Sequence, residues 1–181
     1  MSEIAIAEWR PRDLSMERAA RDVDDLAEML HASVHDGASI GFIMPFSIED
    51  ARAFWRDKIL PGVDSGARRI LIARDGGRVI GTVQLIVDMM PNQRHRGEVA
   101  KMMVHPDSRR RGIGKRLMID LEALARQDQR TLLTLDTGIH NSARTLYRSL
   151  GFIEVGEIPR YAKDPFTPDL DGTMIMYKEL A

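Results

Sequence analysis

The stretch Val99-Ala100-Lys101-Met102-Met103-Val104-His105-Pro106-Asp107-Ser108-Arg109-Arg110-Arg111-Gly112-Ile113-Gly114-Lys115 constrains this chain more than any other. Its first part is apolar, and Val99, Met103 and Val104 give it strand character. His105-Pro106-Asp107-Ser108 then forms a turn, because proline fixes its own φ and biases its predecessor away from helix. Ile113, Leu117, Leu121 and Leu124 recur at helical spacing. The chain must therefore pass from strand to helix through a short turn carrying three arginines and two glycines. Gly112 and Gly114 let a ligand approach the backbone closely. The first N–H groups of a helix have no partner within it, so this turn is a ready site for a phosphate or pyrophosphate.

The remaining elements alternate around this unit. Ile4 to Trp9 reads as a first strand, interrupted by Arg10-Pro11-Arg12. A helical pattern covers Glu17 to Val34 and stops at Asp36-Gly37. Ala38 to Phe46 is an apolar, irregular loop. Ser47-Ile48-Glu49-Asp50 has the form of a capping box and opens a helix through Ala51, Phe54, Trp55 and Ile59, which Pro61-Gly62 should stop. Arg69 to Arg74 and Val79 to Val87 read as a hairpin around Asp75-Gly76-Gly77. Asp88 to Gly97 is a polar connection. After the central strand, turn and helix, Thr131 to Asp136 is a strand and Asn141 to Leu150 a short helix ended by Gly151. Phe152 to Gly156 and Thr173 to Lys178 are two further strands, with an irregular stretch expected from Ile158 to Gly172. The order is that of a mixed α/β single domain, residues 1–181.

Composition excludes several classes. The formal net charge is -1, so the arginine cluster is local and a general nucleic-acid binder is disfavoured. There is no cysteine, hence no disulfide, thiolate metal site or cysteine nucleophile. No apolar run approaches transmembrane length. Met1-Ser2-Glu3-Ile4-Ala5 lacks the form of a signal peptide, and the expected location is the cytoplasm. His31 and His35 stand four apart on a helix, but no third ligand is evident and no metal is expected. Trp9, Phe54 and Trp55 read as core.

The glycine pattern fails two better-known tests. A Rossmann fingerprint needs a small residue where Leu117 stands. A P-loop needs four residues between its glycines and Lys-Ser/Thr after them, whereas Lys115 is followed by Arg116. The spacing Arg109-x-x-Gly112-x-Gly114, between a strand and a helix, resembles the acetyl-CoA-binding motif of the GCN5-related N-acetyltransferase (GNAT) family. Asn141-Ser142-Ala143-Arg144-Thr145-Leu146-Tyr147-Arg148-Ser149-Leu150-Gly151-Phe152 resembles a second element of that family, and Thr173 to Leu180 its closing strand. A looser resemblance links the chain to the tabtoxin resistance acetyltransferases. It rests on His35 to Phe42, Glu98 to Val104, Leu135-Asp136-Thr137 and Val155 to Pro159.

The resemblance implies a mixed, mostly antiparallel sheet of six or seven strands flanked by about four helices, and acetyl-CoA as cosubstrate. It implies that Arg109, Arg110, Arg111, Gly112, Ile113, Gly114 and Lys115 hold the pyrophosphate and that the arginines also assist at the 3′-phosphate. Met102, Met103 and Val104 would pair with the pantetheine arm through their main chain and offer an oxyanion donor. Asn141 would contact the cofactor, or simply cap the helix it precedes. Tyr147 would protonate the leaving sulfur as general acid; its alternative is a core tyrosine.

An acceptor amine is mostly protonated at neutral pH, so a base or a water chain is needed. Glu98, where the family often places a carboxylate working through water, and Asp136, at the end of the next strand, are the candidates. Either could be a solvated end-of-strand charge. His35, Phe42 and Asp136 are expected to line the acceptor pocket. The expected activity is acetyl transfer to a primary amine of a small molecule, with an amino-acid-like toxin or antibiotic as a narrower reading. The alternatives are a protein N-terminal or lysine acetyltransferase and a non-catalytic CoA-binding module. No nucleic-acid or membrane partner is expected, and a homodimer is left open.

Overall fold

A computed structural model describes residues 4–180. Met1 to Glu3, on which part of the leader reading rests, lie outside the described residues. Seven strands form one sheet: β1 (Ala5–Glu8), β2 (Arg68–Asp75), β3 (Arg78–Ile86), β4 (Arg96–Val104), β5 (Leu132–Gly138), β6 (Ile153–Lys163) and β7 (Leu170–Glu179). Their spatial order is β1-β2-β3-β4-β5-β7-β6. Every pairing is antiparallel except β4 with β5. That parallel pair is short: it ends at Glu98↔Thr134, although β4 continues to Val104 and β5 to Gly138. Beyond that point the two strands part, and the sheet opens along its middle.

Helices cover both faces. On one face lie α1 (Met16–His35) and a helix over residues 48–64, made of α2 (Ile48–Ala53), a wider π segment (Phe54–Ile59) and α3 (Leu60–Asp64). Leu26, Met29, Leu30, Trp55 and Ile59 pack there against Ile70, Ile72 and Met103. On the other face α4 (Ile113–Gln127) and α5 (Ala143–Ser149) close a second core. It contains Leu71, Leu85, Val99, Leu117, Leu121, Leu135 and Met176. Trp9 and Trp55 are buried as expected and meet edge to face.

Ser47 and Asp50 form the expected capping box. Pro61-Gly62 does not stop that helix, which runs on to Asp64. In the preceding π segment the Leu60 N–H donates to Trp55 O, five residues back. This wider turn gives the proline ring the room that an α-helix interior denies it. The stretch expected to be irregular from Ile158 to Gly172 is mostly strand. β6 reaches Lys163, and only residues 164–169 turn back to β7. Pro159 is tolerated because β6 is an edge strand and its register shifts between Ile158 and Ala162. The central strand begins at Arg96, earlier than the apolar pattern suggests.

The first half of the sheet is clamped by a buried ion network. Asp22 is fully buried and receives Arg74 at 2.6 and 2.7 Å and Trp9 Nε1 at 3.0 Å, with Arg18 at 3.2 Å. Removing one partner of such a group costs about 3–5 kcal/mol. Gly81 on β3 sets the seat of α4. A Cβ there would stand 3.0 Å from Ile113 and 3.1 Å from Leu117. Its absence lets the N-terminus of α4 sit close against the sheet, beside the opened seam. Among the described residues, no helix is long and apolar enough to cross a membrane.

Candidate active site

A cavity of about 880 Å³ lies where the seam opens, within the usual size of a ligand pocket. Met102, Met103 and Val104 at the end of β4 form one wall. Arg109, Arg110 and Gly112 to Lys115 form the floor, and residues 138–143 after β5 form the opposite wall. Asp36 to Ile40 and the carboxylates Asp164 and Asp171 complete the rim.

The floor is a main-chain construction. Gly112 takes φ +75, which side chains rarely adopt, and opens α4 without any side-chain cap. The first intrahelical bond runs from Arg116 N to Gly112 O, 3.1 Å. The N–H groups of the first turn therefore have no helical acceptor and carry the positive end of the helix dipole. Nothing stands within 4 Å of a Cβ placed on Gly112, so the approach is open. This donor set fits a pyrophosphate.

The arginines divide. Arg109 reaches into the cavity and pairs with Asp36, and its Nε donates to Val104 O at 3.4 Å. Arg110, with φ 64, and Lys115 also line the cavity. Arg111 turns away and pairs with Asp75 at 2.8 Å. Asn141 is in the wall, where its Oδ1 accepts the Ala143 N–H at 2.9 Å. The N-cap position is Ser142, which makes no side-chain cap bond, so Asn141 reaches the first helical N–H from one residue further out.

Tyr147 lies behind the cavity. Its helix lines the wall through Ala143 and Leu146, while its own ring is only 6% exposed and packs on Phe152. Burial, with a smaller contribution from the Asp136 charge, pushes its hydroxyl well above the ordinary tyrosine value. The phenol therefore stays protonated at neutral pH, the state a proton donor needs.

The remaining sequence candidates sit on the α1 side of the seam. Glu98 is the last β4 residue paired to β5, and Asp136 stands on β5 two residues beyond that pairing. Thr173 Oγ1 donates to Asp136 Oδ2 at 3.2 Å. Phe42 packs 4.6 Å from Phe46 and 4.9 Å from Phe54, ring to ring. His35 is exposed at the end of α1, 4.0 Å from the His31 ring, with its Nδ1 2.9 Å from His31 O. Burial and then the neighbouring His35 lower the pKa of His31. Among the described residues no group of three histidines and carboxylates is placed to hold a metal.

Sequence reasoning missed Lys101. Lys101 and Met102 stand opposite the single Val83, a bulge in which Lys101 takes φ 48. Its Nζ donates to Ile40 O at 2.8 Å and lies 5.8 Å from the centres of both Phe42 and Phe54. Burial lowers its pKa, the Asp136 charge raises it, and Arg68 lowers it. The available signal was a lysine inside the otherwise apolar run from Val99 to Val104.

Residues 66–154 match the sequence model of the acetyltransferase (GNAT) domain. The chain therefore carries a GNAT domain. One curated relative, the IAA acetyltransferase of Azospirillum brasilense, is 36% identical over 100 residues, which are 55% of this chain and 63% of that protein. N-acetyltransferase 8 of Rattus norvegicus is 35% identical over 88 residues, 48% of this chain and 40% of that protein. The matches thus span less than two-thirds of these relatives. Among solved structures, the ribosomal-protein-alanine N-acetyltransferase of Brucella melitensis superposes with a TM-score of 0.78 at 21% identity, covering 97% of this chain and 99% of that one. A Salmonella typhimurium protein solved with its cofactor acetyl-CoA gives 0.74 at 19% identity, covering 98% and 94%. At these identities the structural likeness establishes the GNAT fold.

Proposed function

We propose that this chain is an acetyl-CoA-dependent N-acetyltransferase acting on a primary amine of a small molecule by direct attack in a ternary complex. The observation that carries the reading is the meeting of two features in one cavity: the free N–H groups of the α4 N-terminus and the end of β4 where β4 and β5 part. The Salmonella relative, solved with acetyl-CoA, supports the cosubstrate.

Acetyl-CoA supplies the thioester. The N–H groups from Gly112 to Lys115 hold its pyrophosphate, with Arg109, Arg110 and Lys115 adding charge. Arg111, paired with Asp75, contributes at longer range. Met102 to Val104 orient the arm through their main chain and offer a donor to the developing oxyanion. Asn141 contacts the cofactor from the opposite wall. Asp136, in the opened part of the seam, relieves the incoming amine of its proton, with Glu98 behind it. Tyr147 gives its proton to the departing sulfur. Phe42 and His35 wall the acceptor side.

A small acceptor is supported by the closure over that side. The Met44 N–H donates to Pro165 O at 2.8 Å, and the Phe166 ring comes within 4.0 Å of a Cβ placed on Gly37. The loop after α1 and the β6–β7 turn thus meet, narrowing the entry for a folded protein segment. An amino-acid-like toxin is the narrower member of this substrate class. The test is free-thiol release from acetyl-CoA with a panel of small amines and short peptides. Release with small amines is expected. CoA binding without release on any acceptor would leave a binding module, and preferential release with peptides would favour the protein-acceptor reading.

A further inference from the structure

The acceptor side of the seam contains positive charge that the protein does not neutralise by contact. Lys101 Nζ is tucked beneath the loop after α1, and its oxygen partner is a neutral carbonyl, Ile40 O. Among the described residues it forms no ion pair. Arg68, on the same sheet face, is half-buried; it pairs with the amide oxygen of Gln84 and, among the described residues, has no carboxylate within ion-pair distance. Among the described residues, its Nε and the Nε2 of fully buried Gln84 have no hydrogen-bond partner. All three unsatisfied or weakly satisfied groups are donors. Their strands adjoin, because Ile70, two residues after Arg68, pairs with Gln84, and Gln84 pairs with Ala100, next to Lys101. The bulge at Lys101 turns its side chain onto this face, between Phe42 and Phe54. Buried donors and cations without partners are costly, and an anion from outside the chain would satisfy them. The nearby carboxylates, Glu98 and Asp136, stand along the seam itself, where a cationic amine would approach.

We infer that the acceptor carries a carboxylate as well as its amine, and that Lys101, assisted by the Gln84 amide and Arg68, receives that carboxylate. The amine end then faces Asp136 across the open seam. The aromatic walls exclude water from the ion pair and so strengthen it. This inference rests on the acetyltransferase reading above and narrows its substrate class to amino-acid-like molecules.

The experiment compares L-amino acids with their carboxamides as acceptors, with acetyl-CoA saturating and thiol release as the readout. The wild-type protein is expected to favour the carboxylates by roughly ten- to a hundredfold in kcat/KM, the range set by a hydrogen bond to a charged group. The difference should reside in the acceptor KM. In Lys101→Met the ratio of carboxylate to carboxamide should fall towards one, and Lys101→Arg should restore part of it. Gln84→Met, close in volume, should lower the ratio without abolishing it, and it tests the niche if Lys101→Met does not fold. Equal use of both series by the wild-type protein overturns the inference while leaving acetyl transfer intact. So does a ratio unchanged in Lys101→Met. Absence of transfer to every amine overturns the acetyltransferase reading, and the inference falls with it.

Discussion

The two sides of the opened seam are built from different groups. On the proposed cofactor side, the functional surface is chiefly main chain, the first turn of α4 and the end of β4, with Arg109, Arg110, Lys115 and Asn141 around it. On the proposed acceptor side it is side chain: Arg68 from β2, Gln84 from β3, Lys101 from β4, Asp136 from β5, Phe42 from the loop after α1 and Phe54 from the π segment. A main-chain site needs only a backbone path, which glycine spacing and a following helix encode locally. A side-chain site needs several elements brought into register, so it forms only when the sheet does. The first kind holds a constant group such as a pyrophosphate, while the second can change its acceptor by exchanging side chains on one scaffold.

The largest break in this comparison is expected at Tyr147, which belongs to the chemistry and to neither binding surface. Tyr147→Phe should lower kcat roughly a thousandfold, about 4 kcal/mol in the barrier. Acetyl-CoA affinity by calorimetric titration should stay within about threefold, since only the hydroxyl is removed. A loss of affinity equal to the loss of rate would place the hydroxyl in binding.

Gly112→Asp should damage the cofactor side alone. It forces a side chain into φ +75 and sets a negative charge at the helix N-terminus. The dissociation constant for acetyl-CoA should rise about a hundredfold, roughly 2.7 kcal/mol. An unchanged constant would show that the α4 N-terminus is not the anion site. On the acceptor side, Asp136→Asn should lower kcat about thirtyfold and leave acetyl-CoA affinity in place. Glu98→Gln, inside the paired part of the seam, should have the smaller effect, and the reverse order would move the base to Glu98.

The smallest expected effect lies away from both surfaces and serves as their control. The Arg69 guanidinium donates to Glu8 at 2.7 and 2.8 Å and, with Arg10, holds its carboxyl below the ordinary 4.5. A carboxyl whose folded pKa is depressed adds stability above its unfolded value, and that stability is lost as pH falls through the folded one. Melting at pH 7 and at pH 3 should show Glu8→Gln costing about 1 kcal/mol at the higher pH and less at the lower. Acetyl transfer by this variant at pH 7 should match wild type.

This division also explains what the sequence revealed. The Arg109-x-x-Gly112-x-Gly114 turn, the Ser47–Asp50 capping box and the apolar period of α4 are local, and each was legible. The hairpin at Asp75-Gly76-Gly77 was legible for the same reason. The length of β6 was not, because Pro159 argues against a strand unless the strand is known to be an edge. The continuation of the helix past Pro61 depends on a π segment that no residue type announces. The parting of β4 from β5 is a property of pairing and leaves no mark in either strand. Glu98, Asp136, Phe42 and His35 could be named as candidates from the sequence. The grouping of Lys101 with Arg68 and Gln84 could not, since 16 or more residues separate each of them from the next.

The central claim is that main-chain donors at the start of α4 hold the cosubstrate. Backbone amide NMR during an acetyl-CoA titration tests it most directly. The account predicts that the largest downfield amide-proton shifts fall on Gly112, Ile113, Gly114 and Lys115, with small changes at Arg68 and Gln84 until an acceptor is added. Saturable binding that leaves the amides of residues 112–115 unmoved would contradict it.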